Sequence, residues 1–121
     1  MGKRRIRNLQ KLGYSDILGF DIQKIRRIES NKKYKIKTYD NILDAISQKP
    51  KAIIISTPPN LHLKYALLAI KYNINFFMEL NHSSNHVKKI IKKMKGKKIL
   101  AAPSCTMQYH PIVLELEKIF W

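Results

Sequence analysis

Apolar positions along the chain fall into two kinds of pattern. Continuous apolar runs occupy residues 52–56, 74–79 and 98–103. Runs of this length suit strands of a parallel sheet, which are covered on both faces. Residues 16–21 form a shorter strand candidate, and the alternation over 34–39 indicates an edge strand.

Between these runs the apolar positions recur every three or four residues, as on one face of a helix. Such patterns cover residues 3–12, 60–72 and 111–120. Asp40 is placed to cap another helix, and Gly96 to end one. A helix comes first, and strands and helices alternate after it. This order predicts an α/β fold with a Rossmann-like, doubly wound parallel sheet, in one domain over residues 1–121 whose first strand is missing.

Composition narrows the class of protein. With 45% hydrophobic residues among 121, the chain is not a disordered polyampholyte. The single cysteine, Cys105, excludes a disulfide framework and suits a reducing compartment. No apolar run approaches the ~20 residues of a membrane span, and no apolar segment follows the basic start as in a secretory signal. We therefore expect a cytoplasmic protein.

The net charge of +16 comes from 24 Lys and Arg residues against 8 acids. Such a field attracts polyanions, but the lysines are spread evenly, which favours ordinary surface positions. The lysine-rich stretch at 88–98 has no interleaved aromatic residue, so we interpret it as the solvated face of a helix. We expect neither a nucleic-acid nor a membrane partner.

Gly2 and Asp21 raise the possibility of a dinucleotide site. A Gly-rich turn precedes the first helix of such folds, and an acid about 20 residues further on holds the ribose. Gly2 stands directly before a helix, and Asp21 ends the first strand candidate. On spacing alone, a start Met, a flexible Gly and a turn Asp are the better explanation of these positions.

A stronger motif is the string AIIISTPPNLHLKYALLAI, residues 52–70. A buried strand ends at Ser56 and Thr57, two prolines fix the turn, and a helix starts at Pro59 or Asn60. Ligands of open α/β sheets bind at the carboxyl ends of strands. His62 lies in the first turn of that helix, where a polar residue is more common than a catalyst. The four histidines show no metal-ligand spacing, so no metal is expected.

Two strings together resemble the N-terminal domain of the Gfo/Idh/MocA (glucose-fructose oxidoreductase / inositol dehydrogenase) family: GKRRIRNLQKLG and TPPNLHLKYALLAI. The strings ILGFDI, INFFMELNHSSN and PSCTMQYHPIVLELEKI support the resemblance. It implies an oxidoreductase that uses NAD (or NADP) for hydride transfer on a sugar, polyol or related hydroxy compound. The implied cofactor-binding residues are Met1, Gly2, Asp21, Ser56, Thr57, Pro58, Asn60, His62 and Glu79, and Asp21 favours NAD.

The chain departs from the family pattern after the strand at 74–79. The family carries Glu-Lys-Pro there, whereas this chain has Glu79-Leu80-Asn81. Leu80 cannot relay a proton, and neither His82 nor His86 is assigned as a base, so we assign no catalytic residue. The segment with Gln108, Tyr109 and His110 lines a substrate cleft or only joins domains.

By the same resemblance, the first strand and two glycines would precede Met1, and a substrate domain would follow Trp121. We therefore expect a partial dinucleotide-binding domain that is inactive alone and belongs to a homo-oligomer at full length. Two alternatives stay open. One is a basic, non-catalytic binding module, and the other is a decayed homologue with a structural role, which Leu80 favours.

Overall fold

The computed structural model describes residues 2–79, 83–104 and 110–120, without the side chains of 116, 117, 119 and 120. The helices are α1 (Gly2–Lys11), α2 (Lys24–Tyr34), α3 (Ile42–Ser47), α4 (Pro59–Lys71), α5 (Ser84–Met94) and α6 (Pro111–Phe120). The strands are β1 (Leu18–Phe20), β2 (Lys37–Tyr39), β3 (Ala52–Ile55), β4 (Asn75–Glu79) and β5 (Ala101–Ser104). This alternation, beginning with a helix, confirms the order that the sequence predicts.

The chain divides into two compact units, Met1–Lys51 and Ala52–Trp121. The first contains a two-stranded sheet, β1–β2, and the second a three-stranded sheet in the order β3–β4–β5. All of these strand pairs are parallel. The predicted α/β class with parallel strands is therefore confirmed.

In the first unit, a close contact between β1 and β2 depends on Gly19. A Cβ atom at Gly19 would lie 3.1 Å from Cδ1 of Ile36 and 3.3 Å from Cγ2 of Thr38. Ile36 is 3% exposed and shares the core of this unit with Tyr34, Ala45 and Ile46. The absent side chain therefore leaves room for Ile36 to be buried.

Helix α1 ends in a Schellman motif built on Gly13. The Tyr14 N–H donates to the Leu9 carbonyl and the Gly13 N–H to the Gln10 carbonyl, both at 3.0 Å. Gly13 has φ +90°, a conformation that costs glycine little because it has no Cβ atom. The chain can thus turn from α1 towards β1 without leaving the last carbonyls of the helix unpaired.

The core of the second unit lies between its sheet and the helices α4 and α5. Phe76 and Met78 of β4 are buried, as are Ala66 and Ala69 of α4 and Ile90 of α5. Both alanines are fully inaccessible, and side chains this small let α4 pack close to the strands. Burial of this apolar face, more than helix propensity, holds α4 in place.

Two local expectations were wrong. Asn41, not Asp40, caps α3, because its side chain accepts the Leu43 N–H at 2.9 Å. The expected edge strand over 34–39 is confined to Lys37–Tyr39, since Tyr34 still belongs to α2. Lys35 takes a left-handed conformation with φ 56° that ends α2, so the alternating pattern begins before the strand does.

No helix within the described parts of the chain is long and apolar enough to cross a lipid bilayer.

Candidate functional site

The carboxyl ends of the three strands of the second unit meet at one edge of its sheet. Ile55 pairs with Met78, Met78 with Pro103, and Glu79 with Ser104. Ser56 follows β3 directly, so it continues the row of Glu79 and Ser104. This edge is where ligands of open α/β sheets bind.

A rigid turn leads from β3 into α4 at this edge. Pro58 stands at the N-cap of α4 with φ −56° and ψ 150°, and Pro59 is the first residue of the helix. The pyrrolidine rings fix φ at both positions. Ser56 and Thr57 are half-buried, while Pro58, Pro59 and Asn60 are exposed. The turn therefore presents a fixed backbone to a ligand.

His62 is buried under this turn, with only 2% of its surface exposed. Its Nε2 atom lies 2.7 Å from the Thr57 carbonyl oxygen. Since a carbonyl only accepts, Nε2 must carry a hydrogen and donate it. His62 thus ties the fourth residue of α4 to the turn before the helix.

The hydroxyl group of the half-buried Thr57 is inaccessible and unsatisfied at the same turn. Its Oγ1 atom is inaccessible, and no group of the described residues hydrogen-bonds to it. Leaving a buried hydroxyl unpaired costs about 1–3 kcal/mol. A ligand at this edge with a donor or acceptor group could remove that cost.

Asp21 follows β1 in the first unit and has an oriented carboxylate. Its Oδ1 accepts the Gln23 N–H at 2.8 Å, and its Oδ2 lies 3.7 Å from Nη1 of Arg26. The side chain is 32% exposed, so solvent or a ligand reaches it. An ionised carboxylate only accepts hydrogen bonds, which suits the two hydroxyls of a ribose.

Gly2 is the first residue of α1 and is half-buried. Lys3, the second residue of α1, forms an ion pair with Glu29 of α2. The hydrogen bond and the charge of Lys3 lower the pKa of the Glu29 carboxyl group. This ion pair links α1 and α2 and does not involve Asp21.

A profile described as an oxidoreductase family with an NAD-binding Rossmann fold matches residues 1–103 of the sequence. The chain belongs to the Gfo/Idh/MocA family. The matched part is the NAD-binding Rossmann domain of these oxidoreductases. No curated protein matches the sequence.

Solved structures share the fold of this Gfo/Idh/MocA domain. The WlbA dehydrogenase from Bordetella pertussis, in complex with NADH and UDP-GlcNAcA, is 15% identical with a TM-score of 0.83 over 98% of the chain. Myo-inositol 2-dehydrogenase from Lactobacillus plantarum is 21% identical, with a TM-score of 0.83 over 98%. The UDP-N-acetylglucosamine 3-dehydrogenase GnnA from Acidithiobacillus ferrooxidans is 18% identical, with a TM-score of 0.80 over 100%. The chain spans only 37–40% of the length of these three proteins.

The structure places the expected site residues of the Gfo/Idh/MocA domain in two groups. The second unit brings six of them to one region, at the carboxyl edge of its sheet and the start of α4: Ser56, Thr57, Pro58, Asn60, His62 and Glu79. Gly2 and Asp21 belong to the first unit. Met1 and Leu80 lie outside the described residues, as do His82, Gln108 and Tyr109.

Two features of this Gfo/Idh/MocA domain were not anticipated. Ser104 pairs with Glu79 at the end of β5, which only the strand register reveals. His110 is exposed, and its Nδ1 accepts the Ile112 N–H at 3.3 Å, so it contacts the start of α6.

Over the described ranges, no group of His, Cys, Asp or Glu side chains could hold a metal ion.

Proposed function

We propose that the chain binds NAD as the nucleotide-binding domain of a dehydrogenase. In the whole protein this dehydrogenase moves a hydride to or from a hydroxyl-bearing carbon of a sugar, polyol or related hydroxy compound. The observation that carries the proposal is the match of residues 1–103 to the NAD-binding domain of an oxidoreductase family. The similar fold of a myo-inositol dehydrogenase and of dehydrogenases for or bound to UDP-linked sugars supports this class of substrate.

The residues of this chain bind and orient the dinucleotide. Asp21 accepts hydrogen bonds from the hydroxyls of the adenosine ribose, and its charge disfavours the extra phosphate of NADP. Gly2 lets the pyrophosphate approach the start of α1. The bound nicotinamide supplies the hydride chemistry itself.

In the second unit, the carboxyl edge of the sheet offers further groups to the cofactor. The cofactor gives Thr57 Oγ1 the hydrogen-bond partner that this atom lacks among the described residues. Ser56, Pro58 and Asn60 belong to the same turn as Thr57, and Glu79 ends the neighbouring strand. Leu80 has no proton to give, so we assign no acid or base within this chain.

The positions of the cations support this interpretation over a basic binding module. Lys and Arg residues occur on α1, α2, α4 and α5, not on a single helix or strand. Such scatter is what an ordinary solvated surface shows. A module that binds a polyanion would gather its cations on one face.

Replacing Asp21 tests the dinucleotide site. Asp21→Ala removes a charged acceptor and should weaken NADH binding about tenfold or more, because hydrogen bonds to charged groups contribute about 1.5–3 kcal/mol. Binding is measured by titrating the 121-residue chain with NADH and following the NADH fluorescence. Asp16→Ala is the matched control, since it removes an exposed carboxylate of the same unit.

Two results would count against the proposal in different ways. If the unsubstituted chain does not bind NADH, the nucleotide-binding function fails. If it binds NADH and Asp21→Ala binds equally well, only the assignment of Asp21 to the site is wrong.

A further inference from the structure

Apart from two tyrosines, His62 is the one buried polar residue among those that the structure describes, with 2% of its surface exposed. Burying an imidazole is costly unless its nitrogens are hydrogen-bonded. Its Nε2–H reaches back over five residues to the Thr57 carbonyl at 2.7 Å. A core position that needed only volume would be filled at less cost by an apolar residue.

The hydrogen bond from His62 to the Thr57 carbonyl restricts the conformation of the turn. Thr57 precedes Pro58, whose ring fixes φ at −56°. The remaining freedom of the turn is the rotation of the Thr57 peptide plane, and the bond from His62 removes it. Fixing that plane also holds the Cα–Cβ bond of Thr57, whose Oγ1 is buried and unsatisfied within the described residues.

We propose that His62 is a positioning residue, which donates from Nε2 to the Thr57 carbonyl and so aligns the Thr57 hydroxyl with a dinucleotide. This inference rests on the proposed function, because it takes the turn to be part of the NAD site. In this proposal His62 does not contact the cofactor directly but acts through Thr57. The ring lies under the turn, where 2% exposure leaves it little surface for a ligand.

Three substitutions separate the hydrogen bond from the volume of the ring. His62→Gln places an amide nitrogen three bonds from Cβ, as far out as Nε2 of His62, and keeps a donor for the Thr57 carbonyl. His62→Asn carries the same amide group one bond closer to Cβ, which is too short to reach the Thr57 carbonyl. His62→Phe keeps an aromatic ring and has no donor. Ile70→Ala is the stability control, because Ile70 is buried in the same helix away from the turn.

The affinity for NADH and the melting temperature are measured for each variant of the whole chain. We expect the Asn and Phe variants to bind NADH about tenfold more weakly, which equals 1.4 kcal/mol, the size of one hydrogen bond. The Gln variant should bind within about twofold of the unsubstituted chain on the same reasoning. Ile70→Ala should lower the melting temperature and leave the affinity of the folded protein unchanged.

Each other outcome overturns the inference. Equal NADH affinity of all three His62 variants means that the bond does not position the site. A loss in Ile70→Ala as large as in the Asn and Phe variants means that global stability controls binding. A chain that binds no NADH removes the proposed function itself, and the inference with it.

One measurement on the unsubstituted chain decides the matter where the variants fail to fold. NADH should slow amide hydrogen exchange in a peptide covering residues 56–62, detected by mass spectrometry. If NADH binds and exchange in that peptide is unchanged, the turn is not part of the site and His62 positions nothing for the cofactor.

Discussion

Single side chains decide where several helices begin and end. The Asn41 side chain accepts the Leu43 N–H and starts α3, while Gly13 ends α1. A sequence pattern identifies Gly13 as a helix terminator readily, since glycine in this role is common. It does not choose between Asp40 and Asn41, because both residue types cap helices equally well.

Glu29 provides a prediction at the scale of one residue. Its lowered pKa comes first from the hydrogen bond with Lys3 and then from the charge of Lys3. A carboxyl group with a lowered pKa stabilises the folded state above its ordinary pKa of 4.5, and this contribution is lost as pH falls through the lowered value. Glu29→Gln should therefore lower the melting temperature slightly at pH 7 and have no effect in strong acid.

Thermal unfolding followed by circular dichroism at pH 7 and at pH below the carboxyl range gives this comparison. Because Glu29 is exposed, the difference at pH 7 should be small and should shrink further in high salt. Asp16→Asn is the control, since Asp16 is an exposed acid outside both α1 and α2. A Glu29→Gln effect that persists unchanged in acid would show that the ion pair is not its source.

At the scale of elements, three segments that follow helices in the described part of the chain contain a non-glycine residue in the left-handed region. They are Lys35 after α2, Lys49 after α3 and Asn73 after α4, with φ between 54° and 56°. This conformation costs an ordinary L-residue roughly 1–2 kcal/mol. Asn tolerates it best, so the two lysines carry most of the strain.

Lys35→Gly should stabilise the protein. Relief of the left-handed strain outweighs the greater freedom of glycine in the unfolded chain, for a net gain of about 0.5–1 kcal/mol. That gain corresponds to a melting temperature higher by about 2–4 °C. Lys32→Gly is the matched control, since the same substitution inside α2 should destabilise by about 1 kcal/mol. Equal effects of the two variants would contradict the assignment of strain to Lys35.

The sequence predicted the elements better than their ends or the site. Continuous apolar runs and helical periodicity differ enough to give the alternation of strands and helices. The boundary at Tyr34 was missed because its burial suits a helix end and a strand equally well. The turn at Thr57 followed from its two prolines, but the burial of His62 did not, since one histidine in a pattern does not reveal its depth. Ser104 depends on strand register, which no local pattern contains.

At the scale of the whole molecule, the net charge of +16 opposes the compact state. Like charges in a folded protein lie closer together than in the unfolded chain, so their repulsion destabilises folding and is screened by salt. The melting temperature should therefore rise by several degrees between about 20 mM and 200 mM NaCl, over which the Debye length falls from about 20 Å to about 7 Å.

A variant with fewer cations gives the control for this salt dependence. Helix α5 carries four exposed lysines, Lys88, Lys89, Lys92 and Lys93. Replacing all four by Gln should reduce the rise in melting temperature with NaCl. A melting temperature that stays flat or falls with salt would mean that favourable ion pairs outweigh the repulsion.

The parallel register of the second sheet has a consequence for how that unit reaches its final form. Ala52 meets Asn75, and Phe76 meets Ala101, so each ladder closes a loop of about 25 residues before its first hydrogen bond forms. The hydrogen bonds within α4 and α5 are local, so their helical turns form on a faster timescale than the strands can align. Folding of this unit is thus limited by the search for register. The edge that carries Ser56, Glu79 and Ser104 becomes a surface only when that search ends.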